Sequence, residues 1–365
     1  MAAPATRPSA APVGTPASAP QRVDGMHARN AVVRAAITSL VLVILLLYLM
    51  PLGYSIATSL KSKEQVSDVN APILPSAPER FEFEGQTYDV YRVPTDEGEQ
   101  RWALITPGRN SSMFVDTENP DAGLFEWEGR WRTLTPAYRL AFQWSNYQRA
   151  YEFIDFIRLL GFTLMYAGIT TIAATASAAI VAYGFARFKF PFRNVLFIVL
   201  ISTIILPPQV TLVPTYAFFF QLGWVGTWLP LIVPQFFSNA YNVFLLRQYF
   251  MTIPTSMEEA ARIDGAGPIR TFVSVILPQA VPALIAVSLF HFFFAWNDFF
   301  GPLIYLAGNA DINPLAVGLF RFNGLYSSEP QLIQAASILT MIIPLLIFFF
   351  AQRFFMQGIV LTGDK

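Results

Sequence analysis

The chain has 365 residues, of which 54% are hydrophobic and 13% charged, with a mean hydropathy of +0.45 and a formal net charge of zero. Soluble domains carry about a quarter charged residues, so the composition points to a membrane protein, and a neutral chain offers no basic surface for nucleic acid. The absence of cysteine excludes disulfides, thiolate catalysis and cysteine-ligated metals.

Residues 1–31 are rich in Ala and Pro, with Arg7, Arg22 and Arg29 as scattered charges, and lack any apolar period; the expectation is a disordered cytoplasmic tail. The segment 32–60 holds the first long apolar run, 32–55, long enough to cross a hydrocarbon core of ~30 Å. A cleaved signal peptide is the rival reading, and it fails on the long preceding region and the lack of a small-residue cleavage pattern before Lys61.

Residues 61–143 are polar and mixed in charge, too long for a loop and therefore expected to be a domain. Alternating runs at Phe81-Glu82-Phe83-Glu84, Tyr88 to Val93 and Trp102 to Ile105 are punctuated by Glu84-Gly85, Pro94 and Pro107-Gly108, which is strand and turn chemistry. A further hairpin is predicted to pair Phe125-Glu126-Trp127 with Arg130-Trp131-Arg132 across Glu128-Gly129. A small antiparallel β-rich insert of about 60 residues on the outer face results, marginal in size for an independent core. Trp102, Trp127 and Trp131 fit either its core or a sugar-stacking surface. Residues 147–158 then read as an interfacial helix with Tyr151, Ile154, Phe156 and Ile157 on its apolar side.

Five more apolar runs follow at 160–184, 195–220, 228–247, 282–306 and 334–354, so the predicted fold is an all-α polytopic membrane protein of six spans plus the insert, with 144–365 as its core. Arg187, Lys189 and Arg193 lie between spans two and three, and Arg247, Arg262 and Arg270 between four and five. Those loops, and both termini, are placed inside by the positive-inside rule.

The loop 254–282 between spans four and five carries the most information. Thr255 and Glu258 are spaced as a capping box behind the Pro254 boundary, Gly265 supplies a left-handed stop, and Gly267-Pro268 starts a second short helix with Phe272 and Ile276 on one face. Met257, Ala260, Ala261 and Asp264 fall along one side of the first helix, and Glu258 and Arg262 are spaced for an i,i+4 pair. A short amphipathic element held at both ends by membrane helices suits a groove on another protein. An ordinary well-capped hairpin has the same periodicity.

The run Glu259-Ala260-Ala261 followed by Asp264-Gly265-Ala266, with Ile276 and Pro278 downstream, resembles the EAA loop of ABC importer permeases. The stretches 182–194, 244–266, 294–306 and 352–359 are similar to the maltose-type, carbohydrate-importing branch, whereas the insert and Gly161-Phe162-Thr163 depart from it. The resemblance implies a type I importer permease fold in a bacterial inner membrane, with Glu258, Glu259, Ala260, Ala261, Arg262, Asp264, Gly265 and Ala266 forming the element seated on an ATPase. It also implies an ABC ATPase dimer, a second and different permease subunit and an extracytoplasmic solute-binding protein as partners, besides membrane lipid. No Gly-x-x-x-x-Gly-Lys-[Ser/Thr] loop occurs, so ATP-Mg is expected on the partner subunits, with no cofactor, metal or catalytic residue on this chain.

Polar residues within spans tend to line pathways, which makes Gln209, Thr211, Asn239, Asn242, Asn297 and Asp298 substrate-path candidates, each with a packing alternative. His291 reads as a hydrogen-bonded structural histidine rather than a proton relay. In the outward loop 310–328, the resemblance implies contact with the solute-binding protein through Gly318, Phe320, Phe322 and Gly324. The rival functions are an ion-gradient-driven transporter or channel, for which Asp298 is the one acidic candidate in a span, and a membrane-anchored sensor using the insert.

Overall fold

The computed structural model describes residues 23–95, 98–322 and 329–360. The chain divides into two units, residues 1–54 and 55–365. Helix α1 (Val23–Ser59) leaves its apolar side chains from Val32 to Met50 exposed, as a lipid-facing helix does. It begins nine residues before the predicted span, because helix propagation adds a backbone hydrogen bond per residue and does not stop where hydropathy falls. Of the predicted tail, residues 1–22 lie outside the described residues.

After α2 (Lys63–Ser67) the chain enters its β-rich region: β1 (Ser76–Pro78), β2 (Arg80–Phe83), β3 (Gln86–Thr95), β4 (Gly98–Thr106), β5 (Ser111–Asp116), β6 (Leu124–Glu128), β7 (Thr135–Pro136) and β8 (Tyr138–Leu140). β2 to β6 form an antiparallel meander in sequence order, β7 adds to β3, and β1 pairs with β8 as a separate two-stranded sheet. Glu84 (φ +50°) and Gly85 (φ +78°) are both left-handed, which is the two-residue hairpin turn that matches strand twist. Pro94 does not end β3 as expected: it pairs with Glu99 near the hairpin end, where β7 reaches only Tyr91 and Arg92, so its missing N–H is not needed. The predicted 125–132 hairpin is also replaced, because β6 pairs with β5 while Trp131–Thr133 forms a 3-10 turn.

One side of the sheet is packed by Val90, Ala103, Val115 and Ala137, the other by Val93, Phe114 and Leu134 beneath Tyr91, Trp102, Phe125, Trp127 and Trp131. The rings meet edge-to-face, with Trp102 and Phe125 centroids 4.3 Å apart and Phe114 and Trp127 6.0 Å apart. The tryptophans therefore build the small core. Fully buried Gln65 holds the loop before β1, donating to the carbonyls of Pro72 and Leu74 and accepting from the Ser76 amide at 2.9, 2.7 and 2.9 Å. Burial, and then the Asp68 carboxylate that accepts a hydrogen bond from its hydroxyl at 2.5 Å, push the pKa of Tyr138 up.

The remaining chain is helical: α3 (Ser145–Phe153), α4 (Phe156–Arg187), α5 (Arg193–Ser202), α6 (Pro208–Gln221), α7 (Leu229–Ile232), α8 (Ala240–Thr252), α9 (Thr255–Ile263), α10 (Pro268–Thr271), α11 (Leu277–Gln279), α12 (Val281–Trp296), α13 (Phe300–Tyr305), α14 (Leu315–Leu319) and α15 (Pro330–Val360). The single helix expected at 147–158 is split by Asp155 (φ +53°), and only Ile154 and Phe156 of its supposed apolar side are buried while Tyr151 and Ile157 are exposed. Asn146 fixes α3 to the end of α1 by donating to the carbonyls of Ser59 and Lys61, both at 2.8 Å.

Among the described residues, four helical stretches are long and apolar enough to cross a membrane, Asn30–Ser59, Phe156–Arg187, Leu229–Thr252 and Pro330–Arg353, and up to six if each of two bent pairs counts as one crossing. The run 195–220 is interrupted before Pro208, since a proline restricts its predecessor and removes a donor. The run 282–306 is interrupted at 297–299, and α12 itself lies at 79° to the stretch Pro268–Gln279 before it. α4 is the hub, packing against both α8 and α12. Ala178, Ala179 and Ala182 let it approach Val243, Leu246 and Phe250 of α8 closely.

Candidate functional site

Between α8 and α12 the chain makes the short-helix hairpin α9–α10. Pro254 marks the boundary as expected, but Thr255 is already helical and no side chain caps α9. Glu258 is not part of a capping box or an i,i+4 pair with Arg262. It is turned inward and buried, and its Oε1 forms an ion pair with Nε of Arg187 at 2.6 Å. Arg187 is the last residue of α4, where a cation also complements the helix dipole. Its Nη2 donates to the carbonyl of Ile253, just past α8, at 2.6 Å.

The stop of α9 follows the sequence expectation closely. Gly265 takes φ +79°, its amide donates to the Arg262 carbonyl at 3.1 Å and the Ala266 amide to the Ala261 carbonyl at 2.9 Å, the two bonds of a Schellman motif. Pro268 then opens α10, and the Phe272 ring stacks on Tyr183 of α4 at 4.7 Å.

The expected stripe Met257, Ala260, Ala261 and Asp264 is divided by this seating: Met257 and Ala261 are half-buried, whereas Ala260 and Asp264 are exposed. Glu259 and Arg262 also face outward. Ile263 and Ile269 are 87% and 80% exposed beside them.

The polar candidates in the spans sit at helix breaks. Asn239 caps α8, accepting from the Asn242 amide at 2.8 Å, directly after Ser238 at φ +62°. Asn242 is buried with its Nδ2 3.5 Å from Nδ1 of His291, joining α8 to α12. Asn297 is exposed and its amide donates back to the Phe293 carbonyl at 2.8 Å. Asp298 accepts from the Tyr166 hydroxyl at 2.8 Å and from the Gly301 amide at 3.1 Å. Gln209 and Thr211 occupy the first turn of α6, exposed and half-buried respectively.

In the segment before α15, Gly318 is buried against Leu159, Phe322 is buried and packs on Phe153 at 4.9 Å, and only Phe320 is exposed. Neither Gly318 nor Phe322 offers a surface to another protein, contrary to the expectation for this loop, and Gly324 lies outside the described residues.

Sequence reasoning missed Arg187, Tyr166 and Thr163 as structural partners. Arg187 registered only as a topology-setting charge, and nothing in the pattern distinguishes it from Lys189 or Arg193.

The family described as "Binding-protein-dependent transport system inner membrane component" matches residues 174–360, a span that holds α9, α10 and the breaks around Asn239 and Asp298. The osmoprotective compounds uptake permease protein GgtD of Synechocystis sp. is 35% identical over 196 residues, covering 53% of this chain and 66% of that protein. The sn-glycerol-3-phosphate transport system permease protein UgpE of Pectobacterium atrosepticum is 34% identical over 206 residues, covering 56% of this chain and 72% of that protein. The aligned stretch thus spans about two thirds of these relatives' length. Among solved structures, a bacterial ABC transporter involved in the import of the acidic polysaccharide alginate superposes with a TM-score of 0.62 over 92% of this chain and 98% of that one, at 19% identity, which establishes a common fold. The chain therefore belongs to the family of inner-membrane components of binding-protein-dependent transport systems.

Proposed function

We propose that the chain forms one half of the translocation path of an ABC importer for a polyhydroxylated solute, a sugar or oligosaccharide, and that α9 is the helix by which it sits on a separate ATPase. The observation that carries the docking is the pair Ile263 and Ile269, 87% and 80% exposed on a hairpin whose other side is fastened to α4 by Glu258. Two large apolar side chains flanked by Glu259 and Arg262 suit a partner groove. In this reading Glu259, Ala260, Arg262, Asp264, Gly265 and Ala266 lie at or beside the ATPase contact, and Glu258 and Ala261 support it from behind.

The bent pairs count as single spans in this reading, giving six crossings, with both termini and α9 on the cytoplasmic side and the β-rich region outside, between the first and second crossings. A second, different permease completes the path, and ATP-Mg on the ATPase dimer drives alternating access while a solute-binding protein delivers cargo. The solute class rests on the family and on relatives named for osmoprotective compounds and sn-glycerol-3-phosphate. Gln209, Thr211, Asn239, Asn242 and Asn297 are proposed to border the path. Asp298 serves it indirectly, since both its oxygens are engaged within the fold. The same engagement disfavours a gradient-driven transporter that would use Asp298 as its ion site.

Replacing Ile263 with Asp tests the docking. The ATPase is expected to be lost from the purified complex, with affinity falling about tenfold or more while the chain remains folded. Stoichiometric ATPase on an Ile263→Asp/Ile269→Asp chain would reject α9 as the seat. Identifying the compound that co-purifies with the partner solute-binding protein tests the cargo, and an amino acid or metal ion there would reject a sugar.

A further inference from the structure

Glu258 and Arg187 stand apart from the rest of the docking hairpin because neither can reach a partner. Their side chains are 10% and 9% exposed, and each is turned toward the other. Buried ion pairs add little net stability compared with apolar side chains of the same volume, because desolvation offsets the attraction. What such a pair supplies here is a short tether: Nε of Arg187 lies 2.6 Å from Oε1 of Glu258 as an ion pair without hydrogen-bond alignment, while its Nη2 donates to a backbone carbonyl, so one buried cation holds two other elements close to it.

Here those elements are three. Nε of Arg187 pairs with Glu258 on α9, and Nη2 donates to the Ile253 carbonyl at the exit of α8. The side chain itself projects from the end of α4. Beside it, the stacked rings of Tyr183 and Phe272 tie α4 to the chain leaving α10. At its other end α4 carries Tyr166, whose hydroxyl holds Asp298 in the break between α12 and α13. One rigid helix therefore links the hairpin to the polar break in the membrane. Among the described residues, what else joins α9 to α4 is apolar packing such as Met257 in the cluster that holds Tyr183, and packing of that kind can slide.

We propose that Arg187 is the positioning residue that makes α9 and α4 move as one body, so that displacement of the hairpin by the ATPase reaches the transmembrane helices through its ion pair with Glu258. This rests on the reading of α9 as the docking helix and goes beyond it by assigning the transmission to two residues that do not touch the ATPase.

The native chain has no cysteine, so spin labels can be placed singly. With labels at Ser256→Cys on α9 and Ile172→Cys on α4, both exposed, the complete complex with its ATPase subunits is compared without nucleotide and trapped with Mg-ATP and vanadate. In the native background the distance between labels is expected to stay constant to within about 2 Å on trapping, the scale of packed-helix shifts. In Arg187→Met/Glu258→Met, which removes both charges and leaves no lone buried ion, the ATPase is expected to remain bound and to hydrolyse ATP. The label distance should then shift or spread by more than that on trapping. Arg187→Lys, which keeps the charge but lacks the second planar arm toward Ile253, should fall between.

A double variant whose label distance is as constant as in the native background overturns the proposal. So does a spread that is the same with and without nucleotide, which would mean general loosening. Loss of the ATPase from the double variant also overturns it, because the pair would then act on docking itself. Failure of the docking reading is seen separately, as an ATPase that stays on the Ile263→Asp/Ile269→Asp chain.

Discussion

The hydroxyl of Tyr166, in the first half of α4, donates to Oδ2 of Asp298 at 2.8 Å, while Oδ1 accepts the Gly301 amide at 3.1 Å. An acidic side chain in a membrane protein is costly unless its oxygens are engaged. This one is engaged twice, once across to another helix and once to the first turn of α13, so it closes the gap that follows Trp296. The carboxylate acts as a fastener for an interrupted helix, and the interruption is what leaves Asn297 exposed beside it.

Gly301 is the position that tests the fastener. A Cβ there would lie 2.6 Å from Oδ2 of Asp298 and 3.0 Å from Cδ2 of Leu231, closer than either can remain. Gly301→Ala is expected to destabilise the chain by about 1–3 kcal/mol, the usual cost of overpacking, and to lower the melting temperature of the detergent-solubilised complex. Asp298→Asn, which can keep its oxygen for the Gly301 amide and turn its NH2 toward the Tyr166 oxygen, should cost less. Equal melting temperatures for Gly301→Ala and the native chain would show that the break is not held this way.

Thr163 gives a second expectation. It is fully buried, its hydroxyl donates to the Leu159 carbonyl at 2.8 Å, and the same oxygen accepts the Leu315 amide at 2.8 Å at the start of α14. Valine matches its shape but removes the acceptor, leaving a buried N–H without a partner at a cost of about 1–3 kcal/mol. Serine keeps the oxygen and should cost less than valine. The measurement is the denaturation midpoint of the three chains, and a Thr163→Val chain as stable as native would reject the role.

Local rules read well from this sequence wherever one short segment decides the outcome. Glu84-Gly85 makes its two-residue turn, Gly265 makes its left-handed stop, and the apolar runs become α-helix apart from the breaks at 203–207, 233–239 and 297–299. Reading failed where a residue had a partner far along the chain. Glu258 fits a capping box and an i,i+4 pair on paper, yet Arg187, 71 positions earlier, takes it, because a carboxylate buried by the seating of α9 needs a countercharge beside it and Arg262 faces outward. Phe125 to Trp127 paired with the strand before it rather than with the residues after it for a related reason. Next to β5, Trp127 meets Phe114 and Phe125 meets Trp102, aromatic contacts that a hairpin with 130–132 would not bring. The burial of Gly318 and Phe322 was likewise invisible, since it depends on Leu159 and Phe153 from a distant helix pair.

The β-rich region supplies a prediction independent of transport. Gly129 has φ +149° and its amide donates to the Asn110 carbonyl at 2.7 Å, so the backbone there approaches closely. A Cβ would meet the Trp127 ring at 2.3 Å. Gly129→Ala therefore strains the backbone and displaces the ring that caps Phe114, for a loss of more than about 1 kcal/mol. A red-shifted tryptophan emission and earlier urea unfolding of this region are expected, and unchanged fluorescence would count against the packing.

Glu329, just before α15, provides the contrast. Its carboxylate oxygens meet Nζ of Lys63 at 3.1 Å and Nη2 of Arg149 at 3.3 Å, linking α2 and α3 to the entry of α15. Both cations are about half exposed, with side-chain exposures of 53% and 54%. Exposed pairs of this kind contribute about 0–1 kcal/mol each and are screened by salt. Glu329→Gln is accordingly expected to change stability by less than about 1 kcal/mol, far less than Gly301→Ala, and the difference from native should shrink as ionic strength rises. A loss as large as that of Gly301→Ala, persisting in high salt, would mean that the Glu329 carboxylate is held by more than these two cations.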